Sequence, residues 1–109
     1  MCETNWYQVR REYQEIATRD WQAGNIDKSE DGIFTYATET ADSSHYVIYY
    51  GYERELWANS QDIRDYEQDA IDCGHEGVAE IQQYCVYMAL QDAIRETLNE
   101  LLAEEMSNA

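Results

Sequence analysis

The sequence predicts an all-α fold: a single compact domain over residues 1–109, with about five helices organised on a long C-terminal one. The chain has no proline and only five glycines in 109 residues, so it is poor in the residues that build tight β-turns. Apolar side chains recur at intervals of three and four residues, which is the spacing of one helix face. The length is typical of one domain.

The first helix is predicted from Asn5 to Ala23. Asn5 followed by Gln8 resembles a capping box, and Gly24 is placed to end the helix in the left-handed conformation. The expected apolar face consists of Trp6, Val9, Tyr13 and Ile16.

The middle of the chain is less regular. Residues 25–32 form a loop-like stretch, and a short helix is expected from Ile33 to Ala41. Residues 45–57 allow two interpretations, because the β-branched and aromatic run Tyr46–Tyr50 is typical of a buried strand. The polar residues 42–44 look like helix N-caps instead, and one helix face would contain Val47, Tyr50 and Trp57. We favour a helix, because the sequence offers no second strand to satisfy the backbone of a first.

Two further helices are predicted in the C-terminal half. The first runs from Ser60, its N-cap, to Cys73, with Gly74 ending it. The second is the longest, from about Gly77 to Glu105, and would span roughly 40 Å. Its apolar stripe consists of Ile81, Cys85, Met88, Leu90, Ile94, Leu98 and Leu101.

Charge is the property that most constrains the partner. Twenty-three Asp and Glu stand against seven Lys and Arg, for a net charge of −16. Disordered acidic chains have few aromatics, whereas this one has ten Tyr, three Trp and one Phe, so we expect it to fold. Self-repulsion on this scale costs stability, which favours a working acidic surface with a positively charged partner. Direct binding to nucleic acid or to an anionic membrane is not expected, since both require positive charge.

The sequence also favours the cytoplasm. No apolar run approaches the roughly 20 residues that span a bilayer. Residues 1–6 lack the basic start and apolar core of a signal peptide. The three cysteines are an odd number at unrelated spacings, which is typical of reduced thiols and not of a disulfide framework.

The carboxylates form two series. The first lies on the helix that begins at Ser60 and consists of Asp62, Asp65, Asp69 and Asp72. The second lies late in the last helix and consists of Glu96, Glu100 and Glu104. Each spacing puts its series on one helix face. Like charges so placed destabilise an isolated helix by roughly 0.2–0.5 kcal/mol per pair, and no lysine interrupts either series.

Two interpretations of these series remain open. One is a solvated helix face, and the other is mimicry of the DNA backbone. On a continuous helix, Asp62 and Asp69 would lie roughly 10.5 Å apart along the axis. DNA rises about 3.4 Å per phosphate on one strand, so such a helix could present carboxylates to a phosphate-binding groove.

Metal binding and catalysis are not expected. Asp27, Ser29, Asp31 and Gly32 follow the start of a calcium-binding EF-hand loop, but its twelfth position is Thr38 instead of glutamate, which favours a polar turn. Cys73, His75 and Cys85 do not have the spacing of a structural zinc site. Cys73 near His75 is the one candidate nucleophile and base, and an anionic setting raises a thiol pKa. We therefore expect no enzyme, metal or cofactor.

The tyrosines offer a second candidate binding surface. Tyr46, Tyr49, Tyr50 and Tyr52 crowd one segment, with Trp57 nearby. They fit a core whose hydroxyls reach its rim, or an interface patch, since Tyr and Trp are enriched at binding hot spots. The residues we predict to contact a partner are Tyr49, Tyr50 and Tyr52, together with the seven carboxylates of the two series. A homodimer through this patch or through the last helix is a further expectation.

From Asp31 onward the chain resembles the small acidic proteins encoded by bacteriophages and other mobile elements. The resemblance lies in Glu39-Thr-Ala-Asp42, in His45-Tyr-Val-Ile-Tyr-Tyr50 and in the acidic C-terminal half, and it covers about two thirds of the chain. It implies an inhibitor of the anti-CRISPR or anti-restriction class, in which several members are acidic DNA mimics. The expected partner is then the basic DNA- or RNA-binding surface of a protein complex in the host bacterial cytoplasm. The alternative is a non-catalytic interaction module that binds through its Tyr/Trp patch, with the acidity serving solubility.

Overall fold

The computed structural model describes residues 5–48 and 51–108. These ranges contain helices and no strand, which confirms the all-α prediction. The helices are α1 (Trp6–Gln22), α2 (Glu30–Asp42), α3 (His45–Ile48), α4 (Tyr52–Asn59), α5 (Gln61–Arg64), α6 (Glu67–Asp72) and α7 (Val78–Ser107). None of them, within the described ranges, combines the length and the apolar character that crossing a membrane requires.

Helix α7 is the scaffold of the domain, as its length predicted. It has 30 residues, and each of the other six helices packs against it. Cys85, Leu90, Ile94 and Leu98 of its predicted stripe are buried, whereas Ile81, Met88 and Leu101 are half-buried. The core therefore follows α7 from Cys85 to Leu98, and Ile81 and Leu101 pack against it at its two ends.

Helix α1 begins and ends where its local signals predict. Asn5 is the N-cap, and its Oδ1 accepts a hydrogen bond from the backbone N–H of Tyr7 at 2.8 Å. Gly24 follows the helix with φ of +79°, a left-handed conformation that favours glycine. Trp6, Val9 and Tyr13 of the predicted face are buried, and Ile16 is half-buried against the same core.

The single helix predicted from Ser60 to Cys73 is wrong, because the chain breaks at Asp65 and Tyr66 into α5 and α6. The backbone N–H of Tyr66 bonds to the carbonyl of Ile63 three residues back, and the four-residue pattern resumes only at Ala70. At this break the Tyr66 hydroxyl donates a hydrogen bond to Asp92 of α7. A contact between helices distant in sequence thus accompanies the break, and local helix propensity does not register it.

Ser60 occupies the predicted N-cap position, with extended backbone at φ −146° and ψ 126°. Its hydroxyl, however, makes no capping hydrogen bond. The hydroxyl is buried and has no partner among the described residues. The position was predicted correctly, and the interaction expected there is absent.

The segment 45–57 is helical where it is described, but as two short helices instead of one. Helix α3 ends at Ile48, and α4 begins after Gly51, whose φ of +115° interrupts any continuous helix. Tyr49 and Tyr50 lie outside the described residues. The strand interpretation is therefore excluded for residues 46–48.

Candidate functional site

The two predicted carboxylate series meet at one cleft, which we call the acidic cleft. It has a volume of about 270 Å³. Asp62 and Asp65 contribute carboxylates from α5 and its C-cap, and Asp92 and Glu96 contribute carboxylates from α7. The other residues of its lining are Trp6, Arg10, Tyr66, Ala89 and Ala93.

Arg10 is the one cation among the described residues that line the acidic cleft. Its Nη2 donates a hydrogen bond to Oε2 of Glu96 at 3.0 Å, and both side chains are partly exposed. Arg95, outside the lining, places Nη1 at 4.0 Å from Oδ1 of Asp92. Four carboxylates line the cleft against the one guanidinium of Arg10, so the cleft keeps an excess of negative charge. Exposed ion pairs of this kind are worth about 0–1 kcal/mol.

Sequence reasoning missed Asp92. Burial raises the pKa of its carboxyl above the usual value, Arg95 opposes that effect, and Glu96 adds to it. A signal in the sequence would have found this residue, since Asp92 continues the Glu96, Glu100 and Glu104 series by one further step of four residues toward the N-terminus.

The carboxylates continue along α7 in both directions from the acidic cleft. Toward the N-terminus of α7, Asp69 lies near Tyr84. The pKa of the Tyr84 hydroxyl is raised to about 12, first by its hydrogen bond with Cys73, then by burial, and then by the charges of Cys73 and Asp69. Toward the C-terminus, Glu100 and Glu104 follow on the exposed face of α7. We call the set the acidic stripe; it consists of Asp62, Asp65, Asp69, Asp92, Glu96, Glu100 and Glu104, together with Asp72, which follows Asp69 by three residues on α6.

All seven predicted carboxylates of the stripe are exposed. The single continuous helix expected to carry the first series is wrong, however. Because the chain breaks at residues 65–66, Asp62 and Asp69 belong to different helices and do not follow the axial spacing of one helix. Packing of α5 on α7 brings Asp62 and Asp65 beside Glu96, whereas Asp69 of α6 lies nearer the start of α7, by Tyr84.

Part of the tyrosine segment packs within the fold. Tyr46, Tyr52 and His45 form a ring cluster, with centroids 4.9–5.4 Å apart. Tyr52 is half-buried, and its hydroxyl is hydrogen-bonded to Nε2 of His45 at 2.8 Å. Trp57 is half-buried against the core, and the guanidinium of Arg64 lies 5.8 Å from its ring centroid. The predicted contact residues Tyr49 and Tyr50 lie outside the described ranges.

The EF-hand-like segment forms the start of α2. Ser29 is the N-cap; its Oγ accepts a hydrogen bond from the Gly32 N–H at 3.0 Å and donates one to Oδ2 of Asp27 at 2.9 Å. No group of three potential metal ligands is arranged to hold an ion in the part of the chain that the structure describes. Cys85 is buried, and burial first, then the charge of Glu67, raises the pKa of its thiol to about 11.

Comparison with known proteins gives no relative: no protein-family model, no curated protein and no solved structure matches this chain.

Proposed function

We propose that this chain is a phage-type inhibitor that occupies the nucleic-acid-binding surface of a host defence complex, a CRISPR effector or a restriction enzyme, by acidic mimicry of DNA. The observation that carries the proposal is the acidic cleft. It joins Asp62 and Asp65 to Asp92 and Glu96, so that two separate runs of carboxylates become one stripe along α7.

The density of charge on the stripe is comparable with that of a DNA strand. The stretch of α7 from Tyr84, near which Asp69 lies, to Glu104 covers about 30 Å at 1.5 Å per residue. One strand of B-DNA presents about nine phosphates over that length. The stripe offers Asp69, Asp62, Asp65, Asp92, Glu96, Glu100 and Glu104 over the same distance.

Such a stripe acts through long-range attraction. A net charge of −16 steers the chain toward a basic groove and accelerates association, and the effect falls steeply as salt screens it. A protein that fills the groove with carboxylates then excludes DNA by direct competition. No catalytic group is needed for this inhibition.

The test is displacement of a fluorescent DNA duplex from purified restriction endonucleases and CRISPR effector complexes, followed by anisotropy. The proposal predicts competitive displacement of the duplex, and direct binding of the labelled chain to the same protein that weakens steeply between low and physiological salt. If the chain displaces DNA from none of these proteins, the proposal is wrong.

Three variants locate the working surface. The first changes Asp62, Asp65, Asp69 and Asp72 to Asn, and the second changes Glu96, Glu100 and Glu104 to Gln; both should fold and inhibit less. The matched control changes Glu15, Glu39 and Glu55 to Gln, which removes three exposed carboxylates outside the stripe. Equal loss in the control and the second variant would assign the effect to net charge alone.

A second candidate is a non-catalytic interaction module that binds through the ring cluster of His45, Tyr46 and Tyr52. The observation that favours it is the exposed Ile48, 52% accessible, in the same helix as His45 and Tyr46. Binding through such a patch depends on apolar burial and is nearly indifferent to salt. Direct binding of the fluorescently labelled chain to its target at rising ionic strength therefore separates the two candidates.

A further inference from the structure

A second cleft lies where α3 meets the first turns of α7, apart from the acidic cleft. It has a volume of about 520 Å³ and an aromatic lining, and we call it the aromatic cleft. Its lining residues are Asp42, Val47, Ile48, His75, Glu80, Gln83, Tyr84 and Tyr87. None of them belongs to the acidic stripe.

Three rings stand together in this cleft. The ring centroids of His75 and Tyr84 are 4.6 Å apart with planes tilted by 40°, and those of Tyr84 and Tyr87 are 6.5 Å apart. Tyr84 and Tyr87 follow Glu80 at i+4 and i+7, so one face of α7 presents both rings and a carboxylate. The amide of Gln83 donates a hydrogen bond to the carbonyl of Val47, which ties α3 to α7 and holds the cleft in shape.

The charge of the aromatic cleft is negative. Asp42 and Glu80 are exposed carboxylates, and Nδ1 of His75 lies 3.3 Å from Oε1 of Glu80. Among the described residues that line the cleft, none is a lysine or an arginine.

Elsewhere the chain places its own cations on aromatic rings. Lys28 lies 5.1 Å from the ring centroid of Trp21, and Arg95 lies 5.5 Å from that of Phe34. The described lining of the aromatic cleft has the same components, rings beside carboxylates, and contains no lysine or arginine. A cation from a partner would complete the same arrangement.

We propose that the aromatic cleft binds an arginine side chain of a partner protein. The planar guanidinium stacks on the ring of Tyr84 or Tyr87 while its N–H groups donate to the carboxylate of Glu80 or Asp42. Arginine fits better than lysine, because an ammonium group neither stacks nor donates two parallel hydrogen bonds. The site goes beyond the proposed function, since none of its lining residues belongs to the acidic stripe, which it adjoins at Tyr84, and since it does not require that the partner bind nucleic acid.

The test is a titration of the isotopically labelled protein with three blocked tripeptides, acetyl-Gly-X-Gly-amide, where X is arginine, lysine or citrulline. Citrulline keeps the planar shape of arginine but carries no charge. A single anchored side chain binds weakly, with a Kd of roughly 1 mM or above, so amide chemical shifts are the suitable readout. The arginine peptide should shift amides around Glu80 and Tyr84, the lysine peptide should bind several-fold more weakly, and the citrulline peptide should not bind.

Substitutions separate the ring from the charge. Tyr84→Leu should weaken the arginine peptide about fivefold, whereas Tyr84→Phe, which keeps the ring, should not. Glu80→Gln should weaken it to a similar or smaller extent. Tyr7→Leu and Glu15→Gln are the matched controls; both residues are exposed on α1, away from the cleft.

The proposal is overturned if the three peptides bind alike, or if the cleft variants lose no more affinity than their controls. Should Tyr84→Leu fail to fold, the peptide series and Glu80→Gln still decide the question. The tripeptide experiment is independent of DNA displacement. Loss of arginine selectivity with intact DNA displacement refutes this site alone, and the reverse result refutes only the mimicry.

Discussion

Arg10 of α1 donates a hydrogen bond from Nη2 to Oε2 of Glu96 on α7 at 3.0 Å, in the cleft where Asp62 and Asp92 also present carboxylates. This contact joins residues 86 positions apart in the sequence. It places a guanidinium at the point where the two carboxylate series meet. Arg10 therefore reduces the negative potential of the acidic stripe at its centre.

Replacing Arg10 with Gln should accelerate association with a basic target. The change removes the one cation in the described lining of the acidic cleft, so we expect an association rate a few-fold higher at low salt, with the difference vanishing at high salt. Stopped-flow binding to whichever protein releases its DNA duplex in the anisotropy assay measures the association rate. Arg11→Gln, an equal change of net charge at an exposed position of the same helix, is the control. Identical rates for the two variants would show that the cleft has no special role.

Asp92→Asn should stabilise the fold at neutral pH. Burial raises the pKa of Asp92, so the folded state holds the proton more tightly than the unfolded state does. The contribution of Asp92 to stability is then fully present below the ordinary value of 3.8 and is lost as pH rises through the folded pKa. At pH 7 the free energy of unfolding of the variant should exceed that of the wild type by less than about 1 kcal/mol, since the carboxylate stays half exposed. At pH 3 the two free energies should be equal. Urea unfolding at both pH values checks this prediction. Asp65→Asn is the control for loss of charge in the same cleft. A gain in stability that persists at pH 3 would contradict the prediction.

Two N-cap serines should respond oppositely to alanine. Ser29 Oγ accepts a hydrogen bond from the Gly32 N–H, so Ser29→Ala should cost about 1 kcal/mol. The Ser60 hydroxyl is buried without a partner among the described residues, so Ser60→Ala should cost nothing or stabilise by about 1 kcal/mol. Urea unfolding of the two variants, with unchanged m-values, measures the contrast. A loss for Ser60→Ala as large as that for Ser29→Ala would mean that its hydroxyl is satisfied.

Gly32→Ala should damage the fold far more than Gly24→Ala. A Cβ on Gly32 would lie 2.1 Å from the backbone oxygen of Asp27, which forces the turn before α2 to move, at a cost of about 3 kcal/mol. A Cβ on Gly24 meets nothing within 4 Å. Its substitution should lower the free energy of unfolding by about 1–2 kcal/mol, because alanine disfavours the φ of +79°. Thermal unfolding of both variants tests the order, and equal losses would contradict the close approach of Gly32 to Asp27.

The predictions from the sequence were correct for the features that depend on local interactions. Asn5 and Gly24 set the two ends of α1 through the backbone groups next to them, and the periodicity of Leu90, Ile94 and Leu98 assigned the buried face of α7. The exposure of the carboxylate series followed from the same periodicity. These signals act within a few residues, so they can be recognised without knowing the fold.

Which residues these helices bring together depends on how the helices pack. The break at Asp65 and Tyr66 accompanies a hydrogen bond to Asp92, and Asp62 faces the carboxylates of α7 because α5 packs there. The aromatic cleft likewise needs α3 beside the start of α7. Helix packing depends on side-chain shape summed over distant segments, which no local spacing encodes. Local signals in the chain were therefore enough for the helical class, the ends of α1 and the negative sign of the surface charge, whereas packing on α7 was needed to bring Asp62 and Asp65 to Asp92 and Glu96 in one cleft.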